Sequence, residues 1–188
     1  MISLILFIFL LTPALSAPTA TPYRYYLEAI FPSSNTTTTQ PLYISSSITY
    51  NGHTNYVLLT SSPLAQPLAL YTGDGSITLD TSNVIGGSSE APLLLSDEDG
   101  FNGVYKQVIL GDQMSGTYTT GFKIDENNGG LDLSKEDFGG FVACTAARGV
   151  KQVYWYRQGE VDATERVPVV CEGVEFARVW SLNETVSG

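Results

Sequence analysis

Beyond its first sixteen residues the chain never holds a 3.6-residue apolar period over three turns. Short runs of β-branched and aromatic residues alternate with turn signals instead. Residues 23–31 read as a strand that Pro32 ends. Residues 42–50 and 55–59 flank Asn51-Gly52, a hairpin signal because both residue types tolerate the positive φ of a tight turn. Residues 69–71 and 77–79 flank a second turn, Thr72-Gly73-Asp74-Gly75. Runs at 92–95, 103–110, 117–124, 141–146, 152–157, 166–170 and 174–181 complete the series. About a dozen short strands, spaced roughly ten residues apart, predict an all-β, single-domain antiparallel β-sandwich. A β-barrel or trefoil-like arrangement is the alternative. No linker divides residues 17–188, which carry one polar, Thr-rich insert at 33–41.

The one long apolar run, residues 2–11, is too short to span a bilayer, which takes about 20 residues. It reads as the hydrophobic region of a secretory signal peptide. Ala14 and Ser16 put small residues at the −3 and −1 positions, so residues 1–16 are expected to be removed and the mature form to be free of the membrane. Export permits disulfides. Cys144 and Cys171 are expected to form one, closing a loop of about 28 residues and contributing roughly 3.5 kcal/mol by loop-entropy arithmetic. Asn35-Thr36-Thr37 and Asn183-Glu184-Thr185 are acceptor sequences for N-linked glycan, at Asn35 and Asn183.

Charge narrows the partners. Nine Lys and Arg against nineteen Asp and Glu give a net charge of −10 over 188 residues. Such a surface repels phosphate backbones and anionic lipid, which excludes nucleic acid and membrane surfaces as expected partners. One His and two Cys leave little material for metal or nucleophile chemistry.

Each candidate for chemistry has a plainer reading beside it. Residues 125–136 place Asp125, Asn127, Gly130 and Glu136 at calcium-loop positions. But Gly129 stands where a ligand is needed, Asp132 where an apolar residue is usual, and no amphipathic helix flanks the segment; a turn between strands with solvent-facing acids is expected. Asp97-Glu98-Asp99-Gly100 reads as an exposed acidic loop. A hydrolytic triad would need His53 as its base, yet His53 sits at a hairpin tip and no G-x-S-x-G elbow exists. A glycosidase needs only two nearby carboxylates, and no spacing singles out a pair. In Tyr154-Trp155-Tyr156, strand alternation sends Trp155 to one side and both tyrosines to the other. Tyr154 and Tyr156 are therefore the candidate ligand platform, against the alternative of ordinary core packing. Tyr23, Tyr25 and Tyr26 form a second aromatic group.

Phe138-Gly139-Gly140-Phe141-Val142-Ala143-Cys144, Gln152-Val153-Tyr154-Trp155 and Val167-Pro168-Val169-Val170-Cys171 carry a resemblance. The chain resembles a group of small secreted fungal proteins of unassigned function with an F-G-G-[WF] segment before the first Cys, a Q-[LV]-[YF]-W strand, and a Pro shortly before the second Cys. More distantly it is similar to fungal cell-wall antigens of the conidiophore-development type. Phe141 departs from the tryptophan common there. The resemblance implies an extracellular or wall-associated β-rich protein.

The expectation is a non-enzymatic protein, secreted, extracellular or held in a cell wall, serving as an interaction or structural module. It has no catalytic residues, no metal and no cofactor, and its partners are a wall polysaccharide or an extracellular protein. A carbohydrate-binding module using surface tyrosines is one alternative; a secreted effector acting on a host is another.

Overall fold

The computed structural model describes residues 24–32, 41–48, 55–61, 64–71, 74–81, 90–99, 104–111, 118–146, 149–159 and 170–180. The expected signal peptide, nearly all of the Thr-rich insert, both glycan acceptors, His53, Tyr23 and the Asn51-Gly52 turn lie outside the described residues, as does the strand expected at 166–170 except for Val170.

The elements are strands: β1 (Arg24–Ile30), β2 (Leu42–Ile48), β3 (Asn55–Thr60), β4 (Leu68–Tyr71), β5 (Ser76–Asp80), β6 (Glu90–Asp99), β7 (Lys106–Leu110), β8 (Phe122–Ile124), β9 (Leu131–Leu133), β10 (Phe138–Thr145), β11 (Lys151–Arg157) and β12 (Cys171–Val179). Among the described residues there is no α-helix. Alternation decides which side each strand buries. In β1, Tyr25, Leu27 and Ala29 turn inward while Arg24 and Ile30 stay exposed.

The structure is the barrel expected as the alternative, not the sandwich. Seven strands close an antiparallel ring in the order β1-β2-β3-β7-β6-β5-β4, and β4 returns to β1 through Arg24↔Ala69 and Tyr25↔Leu68. β1 makes this possible by dividing its pairings, with β4 at its start and with β2 at Glu28↔Tyr43 and Ala29↔Leu42. Arg24 strengthens the junction by pairing with Asp80 on β5 and, at 3.2 Å, with Glu90 on β6. The extra strands build outward from this ring. β12 lies along β1, β11 pairs with both β3 and β7, and β10 joins β11 to β12. Closure removes sheet edges that an open sandwich would have to protect.

One apolar cluster runs through the interior, from Leu27, Ile44 and Val57 through Ile77, Leu79 and Leu93 to Trp155 and Phe176. Trp155 is fully buried, and its indole N–H donates to the carbonyl of Ser96 at 2.9 Å. A second, smaller cluster sits outside the barrel wall, around Tyr105, Val142, Tyr154 and both cysteines. The β8–β9 hairpin docks separately. The amide of Arg178 donates to the Gly129 carbonyl at 2.8 Å, and Gly130 bridges to Ala177 on β12.

Candidate functional site

The expected tyrosine platform lies on β11. Alternation works there as the sequence implies: Val153 and Trp155 join the interior, Tyr154 and Tyr156 the outer cluster. Both sides are covered, however. Tyr154 is only 8% exposed, packed with Val142, Tyr105 and the Cys144–Cys171 bond. Tyr156 is half-buried and meets the Tyr105 ring edge-on at 6.5 Å. Burial pushes the phenols of Tyr105 and Tyr154 above their ordinary values, and the neighbouring Tyr156 and Tyr56 add to this. The glycines of Phe138-Gly139-Gly140 explain how Tyr156 lies down. A Cβ on Gly139 would stand 2.4 Å from Tyr156 Cε2, and Gly140 holds φ at 141°. The tyrosines therefore seal the disulfide rather than forming an open aromatic face.

Several of the acids pair with basic side chains or accept from the backbone. Asp97 and Glu98 lie at the end of β6, not in the loop expected, and Asp97 accepts from Arg157 at 2.7 Å. Arg157 Nε also lies 3.1 Å from Asp137, whose other oxygen pairs with Lys135. Lys135 in turn places its ammonium 4.6 Å from the Trp155 ring centroid. The hydrogen bond from Lys135, with the charges of Lys135 and Arg157, holds the Asp137 carboxyl below the usual range. Asp74 is held low by the backbone N–H and side chain of Ser76. Arg24 thus lies against two carboxylates, Asp80 and Glu90, and Arg157 against two more, Asp97 and Asp137.

The calcium-like segment is the β8–β9 turn and the strand after it. Asp125 Oδ1 accepts the backbone N–H of Asn127 at 2.8 Å, and Asn128 Oδ1 accepts that of Gly130 at 2.6 Å. These acceptors shape the turn, as Asx side chains commonly do. Among the described residues no three His, Cys, Asp or Glu side chains are grouped to hold a metal ion.

The geometry brings forward a different aromatic. Phe176, Arg178 and Trp180 follow one another at period two along β12 and just past it, so they share the inward side. Phe176 is core, while Trp180, just past the end of β12, is 56% exposed. Its ring lies 4.5 Å from the Arg178 guanidinium carbon and meets the Tyr25 ring edge-on at 6.2 Å. Tyr25 is buried, its hydroxyl has no hydrogen-bond partner, and burial drives its phenol well above the ordinary value despite the opposing Arg178 charge. Of the second aromatic group, Tyr26 is half-buried beside this junction, opposite Val179. The sequence carried a signal for Trp180, the period-two continuation beyond the last core residue, which the polar tail around it obscured.

These features define an all-β barrel protein stapled by a disulfide, with Trp180 among its exposed aromatics. The chain belongs to the DUF7907 family, a domain of unknown function, whose model matches residues 22–180. That span takes in all twelve strands and both cysteines. No curated protein and no solved structure matches the chain.

Proposed function

We propose that this protein is an exported, non-enzymatic interaction or structural module of a fungal cell, released from the cell or held in its wall. The observation that carries the reading is the buried bond between Cys144 and Cys171, which tie β10 to β12. Such a bond is kept in oxidising compartments, and it agrees with the signal-like residues 1–16 and with the resemblance to secreted fungal proteins. The non-enzymatic part rests on the carboxylates clasped by Arg24 and Arg157 and on the absence of any metal-binding group among the described residues. Acting on a host would be one form of the same role.

Non-reducing peptide mass spectrometry of the protein made by a secreting fungal host tests this. The expected result is a chain in the medium or wall fraction that starts at Ala17, with the two cysteine peptides linked and glycan on Asn35 and Asn183. Recovery from the cytosol with both thiols free would overturn it, as would turnover of a substrate abolished by replacing one acidic side chain.

A second reading, a carbohydrate-binding module, is favoured by one observation, the exposed and oriented Trp180. It moves the contact away from Tyr154 and Tyr156, which packing covers.

A further inference from the structure

We propose that residues 119–137, which carry the β8–β9 hairpin, form a strap that acid releases from the main sheet before that sheet unfolds. The segment meets the rest of the fold at four places. The amide of Leu95 on β6 donates to Thr119 Oγ1 at 2.8 Å. The amides of Gly121 and Phe122 donate at 2.9 Å to the carbonyls of Asp74 and Gly75, in the turn before β5. Gly129 and Gly130 meet Arg178 and Ala177 on β12. At the far end Asp137 pairs with Arg157 of β11, and its carbonyl accepts the Gln158 amide at 2.9 Å.

The strap is built to open as a unit. β8 and β9 form a sheet of their own, joined by three residue pairs. A two-stranded hairpin of that size is marginal alone. Phe122 and Leu133 hold it down by inserting into the core, with Ile124 and Leu131 packed against that core. Its other ties are the few polar contacts above. Segments with few backbone bonds to their surroundings open locally, at a lower cost than unfolding the whole domain.

A carboxylate serves the strap at each end. Asp74 Oδ1 accepts the Ser76 amide at 2.9 Å, which closes the turn that offers its carbonyls to Gly121 and Phe122. Among the described residues Asp74 pairs with no charged side chain. Asp137 faces Lys135 on the strap and Arg157 on β11, and Arg157 is shared with Asp97 of β6. Asp125 accepts the Asn127 amide inside the hairpin, so it does not tie the hairpin to the main sheet. The seated strap keeps Asp74 and Asp137 below their ordinary values. Once released, both return towards the ordinary range near pH 4. Protons therefore bind the released state more readily, and release gains as pH falls below about 4. β6 and β11 stay joined meanwhile, because the Trp155 indole N–H still donates to the Ser96 carbonyl.

The test is amide hydrogen exchange of the full chain, disulfide intact, followed residue by residue at pH 6 and pH 3 and corrected for intrinsic exchange. The amides of Leu95 and Arg178 belong to the main sheet but bond to the strap, so they report its release without unfolding of their own strands. At pH 3 their protection, and that of Phe122, should fall about tenfold or more relative to the β2–β3 ladder. The double change Asp74→Asn with Asp137→Asn should bring the same loss at pH 6, with the ladder still protected. Glu126→Gln, an exposed acid of the same hairpin, should not. Equal losses in strap and ladder would show one cooperative unit and overturn the proposal. Undiminished protection of Leu95 and Arg178 at pH 3 would overturn it too, as would full protection of both in the double variant.

Discussion

Cys144 on β10 and Cys171 on β12 face one another directly across the pairing, with Cα atoms 4.0 Å apart. The amide of Thr145 donates to the carbonyl of Val170 at 2.8 Å, which makes the cysteines a close, non-hydrogen-bonded pair. Their bond closes the end of the β10–β12 ladder and is roofed by Tyr105 and Tyr154. Replacing both with serine should lower stability by roughly 3.5 kcal/mol, the loop-closure term for a separation of 27 residues. Urea unfolding of the exported chain, read by tryptophan emission, measures this. An unchanged midpoint would contradict it.

Gly139 and Tyr156 should prove coupled. Gly139→Ala drives a methyl group into the Tyr156 ring, which also meets the Tyr105 ring edge-on. The expected cost is about 1–3 kcal/mol, the range for overpacking. In the Tyr156→Ala background the same change should cost much less, so a double-mutant cycle should return a clear interaction energy.

Trp155 joins the interior to β6. Trp155→Phe would leave the Ser96 carbonyl without its donor and open a gap beneath Lys135. We expect a loss of about 2–4 kcal/mol by equilibrium unfolding, from the cavity and the stranded carbonyl together. Trp180→Phe, at the exposed rim, should cost less than about 0.5 kcal/mol.

Acid should weaken the fold in a defined window. Asp74 and Asp137 are both held below their ordinary values, so in the folded state they release protons more readily than in the unfolded chain. Their contribution is fully present above the unfolded carboxylate value, near pH 4, and is lost as pH falls below it through the lower folded values. Stability measured from pH 6 down to pH 2 should therefore drop below about pH 4. Asp74→Asn and Asp137→Asn should each flatten that drop. Added salt should diminish the Asp137 effect more, because its partners are charged, only partly buried side chains whereas Asp74 is held by local hydrogen bonds to Ser76.

Local patterns were legible because they depend on neighbours in the chain. Runs of β-branched and aromatic residues marked the strands, and the alternation in Tyr154-Trp155-Tyr156 separated the interior from the outer cluster. The cysteine count foretold the bond. β9 escaped notice, because Leu131-Asp132-Leu133 is only three residues long and sits inside an acid-rich stretch read as a turn.

What the amino-acid order determined alone was an all-β chain with one disulfide and a strongly acidic composition. Closure into a barrel, the arginine clasps and the burial of Tyr154 and Tyr156 waited for tertiary structure. The reason is distance along the chain. Arg157 meets Asp97 across 60 residues, Arg24 meets Glu90 across 66, and β4 returns to β1 through two paired residues. Period two says that a side chain faces one side of a sheet, but only the packed barrel decides whether that side is covered, as at Tyr154, or open to solvent, as at Trp180.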